Sequence, residues 1–332
     1  MLEEKLKIPE LENESRERLE RLRSTLKATL TPLGAASQSP EVCIYATGSL
    51  ARLEANQASD LDAFFLLSGN GKESPLGRIR DVKILNAVVS ATEQNGFPDF
   101  SNDGEFLNFI HIDELIHHLG DREDDYHNML TARMLLILES RSLFNDDLYF
   151  EMISSVIGRY FSDFHKHAKD FKPIFLLNDI LRFWRTLCLN YENGRQWRTK
   201  DARRNAKGHL SNLKLQFSRC NMCFSFVAKL LSIGPAMDMA QVIEISGQTP
   251  LDRLRSLVAD DPALCTYIDP MFAEYEWFLT SVSRSKEVVL DWISDKEERT
   301  VAFRHSNQFM DNMYLLVSNI AEKHNYLKYL VI

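Results

Sequence analysis

The chain has 332 residues, 45% of them hydrophobic and 26% charged, long enough for two domains and ordinary in composition for a soluble globular protein. Its net charge of −8 argues against a function based on overall attraction to long nucleic acid, though it leaves room for a local basic cleft. Five cysteines do not suggest a disulfide framework, no apolar run nears the roughly 20 residues that span a bilayer, and the first residues lack the apolar core of a secretion signal, so a cytoplasmic, membrane-free protein is expected.

Leucines at 11, 19, 22, 26 and 30, separated by charged residues, predict an amphipathic helix over 11–32, ended by Pro32, Gly34 and the polar stretch to Pro40. Strands are expected at 42–47 and 61–67, with a short helix at 50–56 between them. Residues 68–75 read as a loop and 76–94 as a helix, from the spacing of Leu76, Ile79, Val82, Leu85, Val88 and Val89. A second loop spans 96–104 and a third strand 106–112. The acidic run 121–125 starts a helix, because carboxylates favour the positive end of the helix dipole. Helical patterning continues to the C-terminus, with interruptions near 193–208, 233–237, 247–250 and 259–270. The outline is an N-terminal helix (1–40), an α/β (α+β) domain with a small mixed sheet (41–145), and an all-α helical domain (146–332).

The most informative stretch runs from Cys43 to Leu67. An apolar run ends in Gly48-Ser49, ten residues follow, and a second apolar run opens with Asp60-Leu61-Asp62. Strand side chains alternate between faces, so two aspartates one residue apart at a strand start project together. Such a carboxylate pair suits hard cations, which take oxygen ligands. A Gly-Ser turn offers backbone N–H groups and a hydroxyl to phosphate, and a glycine lets the backbone approach where a Cβ would obstruct it. Gly-Ser turns and Asp-x-Asp strand ends are each common alone; their order and spacing between two apolar strands are much less common.

This layout resembles the DNA polymerase β-type nucleotidyltransferase superfamily. Gly48-Ser49-x-x-Arg52-x-Glu54 followed by Ser59-Asp60-Leu61-Asp62 is nearest to its uridylyltransferases and adenylyltransferases of nitrogen regulation and their uncharacterised relatives. The likeness is specific over 41–67 and weaker over 126–146, where Thr131 to Asp146 resembles a helix that follows the catalytic sheet. It implies an enzyme that moves a nucleoside monophosphate from an NTP to a hydroxyl of a protein, RNA or small-molecule acceptor, with Mg2+ or Mn2+ as cofactor. Asp60 and Asp62 would be catalytic and metal-binding; Gly48 and Ser49 would bind nucleotide. Arg52 would reach a phosphate or brace Asp60 or Glu54 from behind. The family adds a third carboxylate from a neighbouring strand. The predicted strand 106–112 has none inside it, which leaves Glu105 as a catalytic residue or Asp103 as a metal ligand, or else Asp103-Gly104 as a plain turn. Without a third acid, the alternative is a catalytically inactive module of the same fold that binds nucleotide or a partner protein.

In the helical half, Asn178, Arg182 and Arg185 share a face at i, i+4 and i+7. Arg182 and Arg185 are candidate nucleotide-binding residues. They are followed by Arg195, Arg198, Lys200, Arg203, Arg204, Lys207, Lys214 and Arg219, with Asp201 as the one acid among them. This cluster would hold a triphosphate tail or a polyanionic acceptor such as RNA, or form a solvated surface with Arg182 and Arg185 paired to 121–125. Trp184 and Trp197 are candidates for stacking on a base, or core residues. Cys220 and Cys223 lack a second cysteine pair, so they read as buried thiols rather than zinc ligands.

Overall fold

A computed structural model describes residues 7–33, 42–69, 77–100, 104, 107–196, 201–326 and 328–329. The protein is mostly helical and carries one small mixed sheet of four strands in the order β3-β2-β1-β4. The chain forms two compact units, one from Pro9 to Ser162 and one from Asp163 onward that also takes in Lys7 and Ile8. The first therefore takes in the N-terminal helix and the helix after 145, on either side of the expected 41–145 span.

In the first unit, helix α1 (Ile8–Leu30) places Leu19, Leu22, Leu26 and Leu30 on one stripe, and all four are buried. They pack with Ile44 and Ala46 of β1 (Val42–Thr47), Ala63 and Phe65 of β2 (Asp62–Leu67), and Ile84 and Val88 of α3 (Arg78–Gln94). Every residue of β1 is buried, as befits a central strand covered on both faces. β1 pairs antiparallel with β2 from Val42↔Leu67 to Thr47↔Asp62. β2 pairs parallel with the short β3 (Phe109–His111) through Phe65↔Phe109 and Leu67↔His111. On the other face Cys43 and Tyr45 meet α7 (Asp146–Arg159): the Tyr45 and Tyr149 rings lie 6.1 Å apart, and Cys43 Sγ is 3.6 Å from Met152 Sδ.

Between β3 and α7 run α4 (Ile112–His117), α5 (Arg122–Tyr126), α6 (Met129–Leu138) and β4 (Arg141–Phe144). The Asp121 carboxylate caps α5 by accepting from the N–H groups of Glu123 and Asp124, which explains the acidic run. Fully buried Arg133 of α6 grips Asp124 with two nitrogens, at 2.9 and 2.8 Å, and donates to Tyr160 Oη at 2.8 Å.

Several expected elements take a different form. The helix resembling one over 131–146 ends at Leu138, and Arg141–Phe144 instead forms a fourth strand beside β1. The short helix expected at 50–56 is α2 (Gly48–Ala51), because Leu53 adopts φ 62° and no helix continues through a left-handed residue. The described part of the third strand is Phe109–His111, and Ile112 already starts α4.

The second unit contains the short α8 (Phe164–His167), α9 (Ile174–Gln196), α10 (Ala202–Lys214), a π-helical turn at Leu215–Arg219, α11 (Cys220–Ile233), α12 (Met239–Gly247), α13 (Pro250–Asp260), α14 (Cys265–Val282), α15 (Lys286–Ser294) and α16 (Lys296–Lys323). No strand appears among its described residues. Its core includes a cluster of Phe217, Tyr275, Phe278 and Phe309, with Phe217 stacked on Phe278 at 4.5 Å. Among the described residues no helix is long and apolar enough to cross a membrane.

Candidate functional site

The end of β1, the start of β2 and the loop between them form the candidate site. Gly48 takes φ +69°, in the left-handed region that favours glycine. A Cβ built there would collide with Asp62 Oδ2 and stand 3.4 Å from Asp62 Cγ. The Gly48 backbone and the Asp62 carboxylate are thus in immediate contact, next to the Thr47↔Asp62 pair that ends the β1–β2 ladder. Gly48 is buried, while Ser49, Asp60 and Asp62 are half-buried. Asp62 opens β2, but Asp60 lies in the loop before it, so strand alternation orients Asp62 and does not by itself orient Asp60.

The turn after Gly48 is held from several directions. Arg52 N–H donates to Gly48 O at 3.1 Å, Leu53 N–H to Leu50 O at 3.2 Å, and Glu54 N–H to Ser49 O at 2.8 Å. Leu53 keeps its positive φ while 1% exposed, a strained residue fixed by burial in the loop that leads to the aspartates. Arg52 is buried too. Its Nε donates to Glu54 Oε2 at 2.8 Å and its Nη1 to Glu139 Oε2, both carboxylates being buried. The Arg52 guanidinium thus lies against Glu54 and Glu139. From β4, Arg141 Nε donates to Ala51 O at 2.7 Å.

The rest of the loop is tied to α1. Ser15 Oγ donates to Ala55 O at 3.0 Å, and the Arg18 guanidinium donates to Asn56 O and, at 3.4 Å, to Ser59 O. Arg18 also stacks on Phe97, 3.7 Å from the ring centre. Asn56 and Ser59 close a small turn on themselves, with Ala58 N–H donating to Asn56 Oδ1 at 2.9 Å and Asn56 N–H to Ser59 Oγ at 3.1 Å.

Asp103 and Glu105 lie outside the described residues. β3 carries no carboxylate, and among the described residues no group of three or more His, Cys, Asp or Glu side chains is gathered as a metal site. Arg182 and Arg185 belong to α9 in the second unit; Arg182 is 3.5 Å from Asp179 on its own helix. Arg195 is paired with Glu192 at 2.5 Å, Arg203, Arg204 and Lys207 are exposed on α10, and Trp197, Arg198 and Lys200 are outside the described residues. The Asp124 carboxylate, within the acidic run 121–125, is occupied by Arg133.

Glu139, Arg141, Ser15 and Arg18 went unnoticed in the sequence. Glu139 sits in a region already marked by resemblance, yet nothing local announces that it faces Arg52, 87 residues away.

Compared with known proteins, the sequence matches no family model, and no curated protein matches it.

Proposed function

We propose that the protein is a nucleotidyltransferase that moves a nucleoside monophosphate from an NTP to the hydroxyl of a protein, RNA or small-molecule acceptor. The observation that supports this reading is the contact between Gly48 and the Asp62 carboxylate, which sets the proposed phosphate-binding turn against the proposed metal ligand. Carboxylate oxygens are the donors that Mg2+ takes, so Asp60 and Asp62 fit as its protein ligands. When bound, Mg2+ offsets charge on the triphosphate and the leaving pyrophosphate.

The chain's own residues supply the rest. Gly48 lets phosphate oxygens come close to the backbone, and Ser49 adds a hydroxyl donor. Arg52, between Glu54 and Glu139, holds the turn rigid so that these groups need no rearrangement when substrate arrives. In the reaction the acceptor oxygen bonds to the α-phosphorus, the bond to the β-phosphate bridge breaks, pyrophosphate leaves, and the hydroxyl proton is released. Positioning and charge stabilisation account for most of the acceleration in such transfers.

The test is incubation of the protein with each α-32P-labelled NTP, Mg2+ or Mn2+, and a cell extract. Label carried onto an acceptor, with release of pyrophosphate, is the expected result. Saturable NTP binding without transfer under any of these conditions would instead indicate a module of the same fold that binds nucleotide without turning it over.

A further inference from the structure

The second unit holds a cleft of about 470 Å3 between α9, α10 and α16, in the size range of small-molecule sites. Its walls are aromatic: Trp184 and Tyr191 from α9, His209 from α10, and Phe303 from α16. Three of these rings make edge-on contacts, Trp184 with Phe224 at 5.4 Å, and His209 with Phe303 at 6.5 Å.

The polar groups between the rings are amides. Asn212 lines the cleft from α10, half-buried and without a side-chain partner among the described residues. Gln216 lines it from the π-helical turn, and its Oε1 lies 2.5 Å from Ser306 Oγ. The π turn interrupts an otherwise continuous helix from Ala202 to Ile233. Single π turns inside α-helices are rare and occur often at functional sites. Here the turn buries Phe217 completely in the aromatic core while the adjacent Gln216 reaches the cleft.

Charge narrows the ligand. Among the described residues one guanidinium lines the cleft, that of Arg195, and Glu192 neutralises it, with Nε donating to Oε2 at 2.7 Å. A polyanion gains little there, and an uncharged ligand with a flat face does best. Side-chain amides each offer a donor and an acceptor, which matches the alternating donors and acceptors on a nucleobase edge, and aromatic walls stack on any base face. We infer that this cleft binds an uncharged nucleoside, held by its base between the aromatic walls and read along its edge by Asn212 and Gln216. The inference does not depend on the NTP site at Gly48 and Asp62.

Isothermal titration calorimetry on the full chain tests it, with adenosine, guanosine, cytidine and uridine as probes and ATP as the charged comparison. At least one nucleoside should bind saturably. Asn212→Leu and Phe303→Ala, checked for unchanged thermal melting, should each weaken that binding tenfold or more, while Asp62→Asn should leave it unchanged. The inference is overturned if none of the four binds, if both cleft variants bind as the parent does, or if nucleoside binding is lost in Asp62→Asn and kept in the cleft variants.

Discussion

Two positions decide most at the scale of single residues. Gly48 has no spare volume on its Cβ side and a φ that other residues reach only with strain. Gly48→Ala should push the Asp62 carboxylate aside and cost about 1–3 kcal/mol from backbone conformation alone. NTP turnover should fall more than tenfold, even where thermal melting shows the variant folded. Turnover at the parent level would mean that the glycine is only a turn residue. Arg52 is the second position. Removing it leaves Glu54 and Glu139 buried without their cation, and breaking a buried ion pair from one side costs about 3–5 kcal/mol. Urea unfolding of Arg52→Leu should show a loss of that order, with Glu139→Gln losing less because Glu54 still neutralises the guanidinium. Equal, negligible losses in both would contradict the bracing role.

At the scale of elements, the N-terminal helix does more than cover the sheet. Ser15 and Arg18 reach the carbonyls of Ala55, Asn56 and Ser59, and so fix the loop that leads into the aspartates. Arg18→Ala should leave the fold intact while amide hydrogens of residues 55–60 exchange faster; unchanged protection there would show that the loop holds itself. Much of this architecture was legible in the sequence where one pattern dominated. β1 stood out as an unbroken apolar run, and the leucine stripe of α1 is a plain helical period. The carboxylate at 62 was placed by its position at the head of an apolar strand. Other parts were not legible because their causes are distant. β4 has only Leu143 and Phe144 as apolar residues, and it is a strand because β1 offers an edge. Leu53 ends α2 by a backbone conformation that its side chain does not advertise, and Asp60 falls outside the strand because the pairing with β1 stops at Thr47↔Asp62. The partnership of Arg52 with Glu139 joins residues far apart in the chain, so no local pattern shows it.

At the scale of the whole molecule, stability depends in part on buried thiols and phenols that stay uncharged. Burial pushes the Cys43 thiol up to about 12 and the Tyr149 phenol to about 12, and it raises Tyr45 and Cys220 as well. In the unfolded chain thiols ionise near 9.0 and phenols near 10.0. These groups therefore stabilise the fold fully below those values, and their contribution is lost as pH rises toward about 12. The urea midpoint should drop clearly between neutral pH and about pH 10.5, and a constant midpoint would contradict the burial assigned to them. All of the proposed phosphoryl-transfer chemistry lies in the first unit, where the end of β1 meets the start of β2. The most direct measurement compares metal-dependent turnover of NTP by the parent chain with that of Asp60→Ala and Asp62→Ala. Both variants should melt as the parent does and release no pyrophosphate above background. Parental rates in both would remove the aspartates from the reaction and the proposed activity with them.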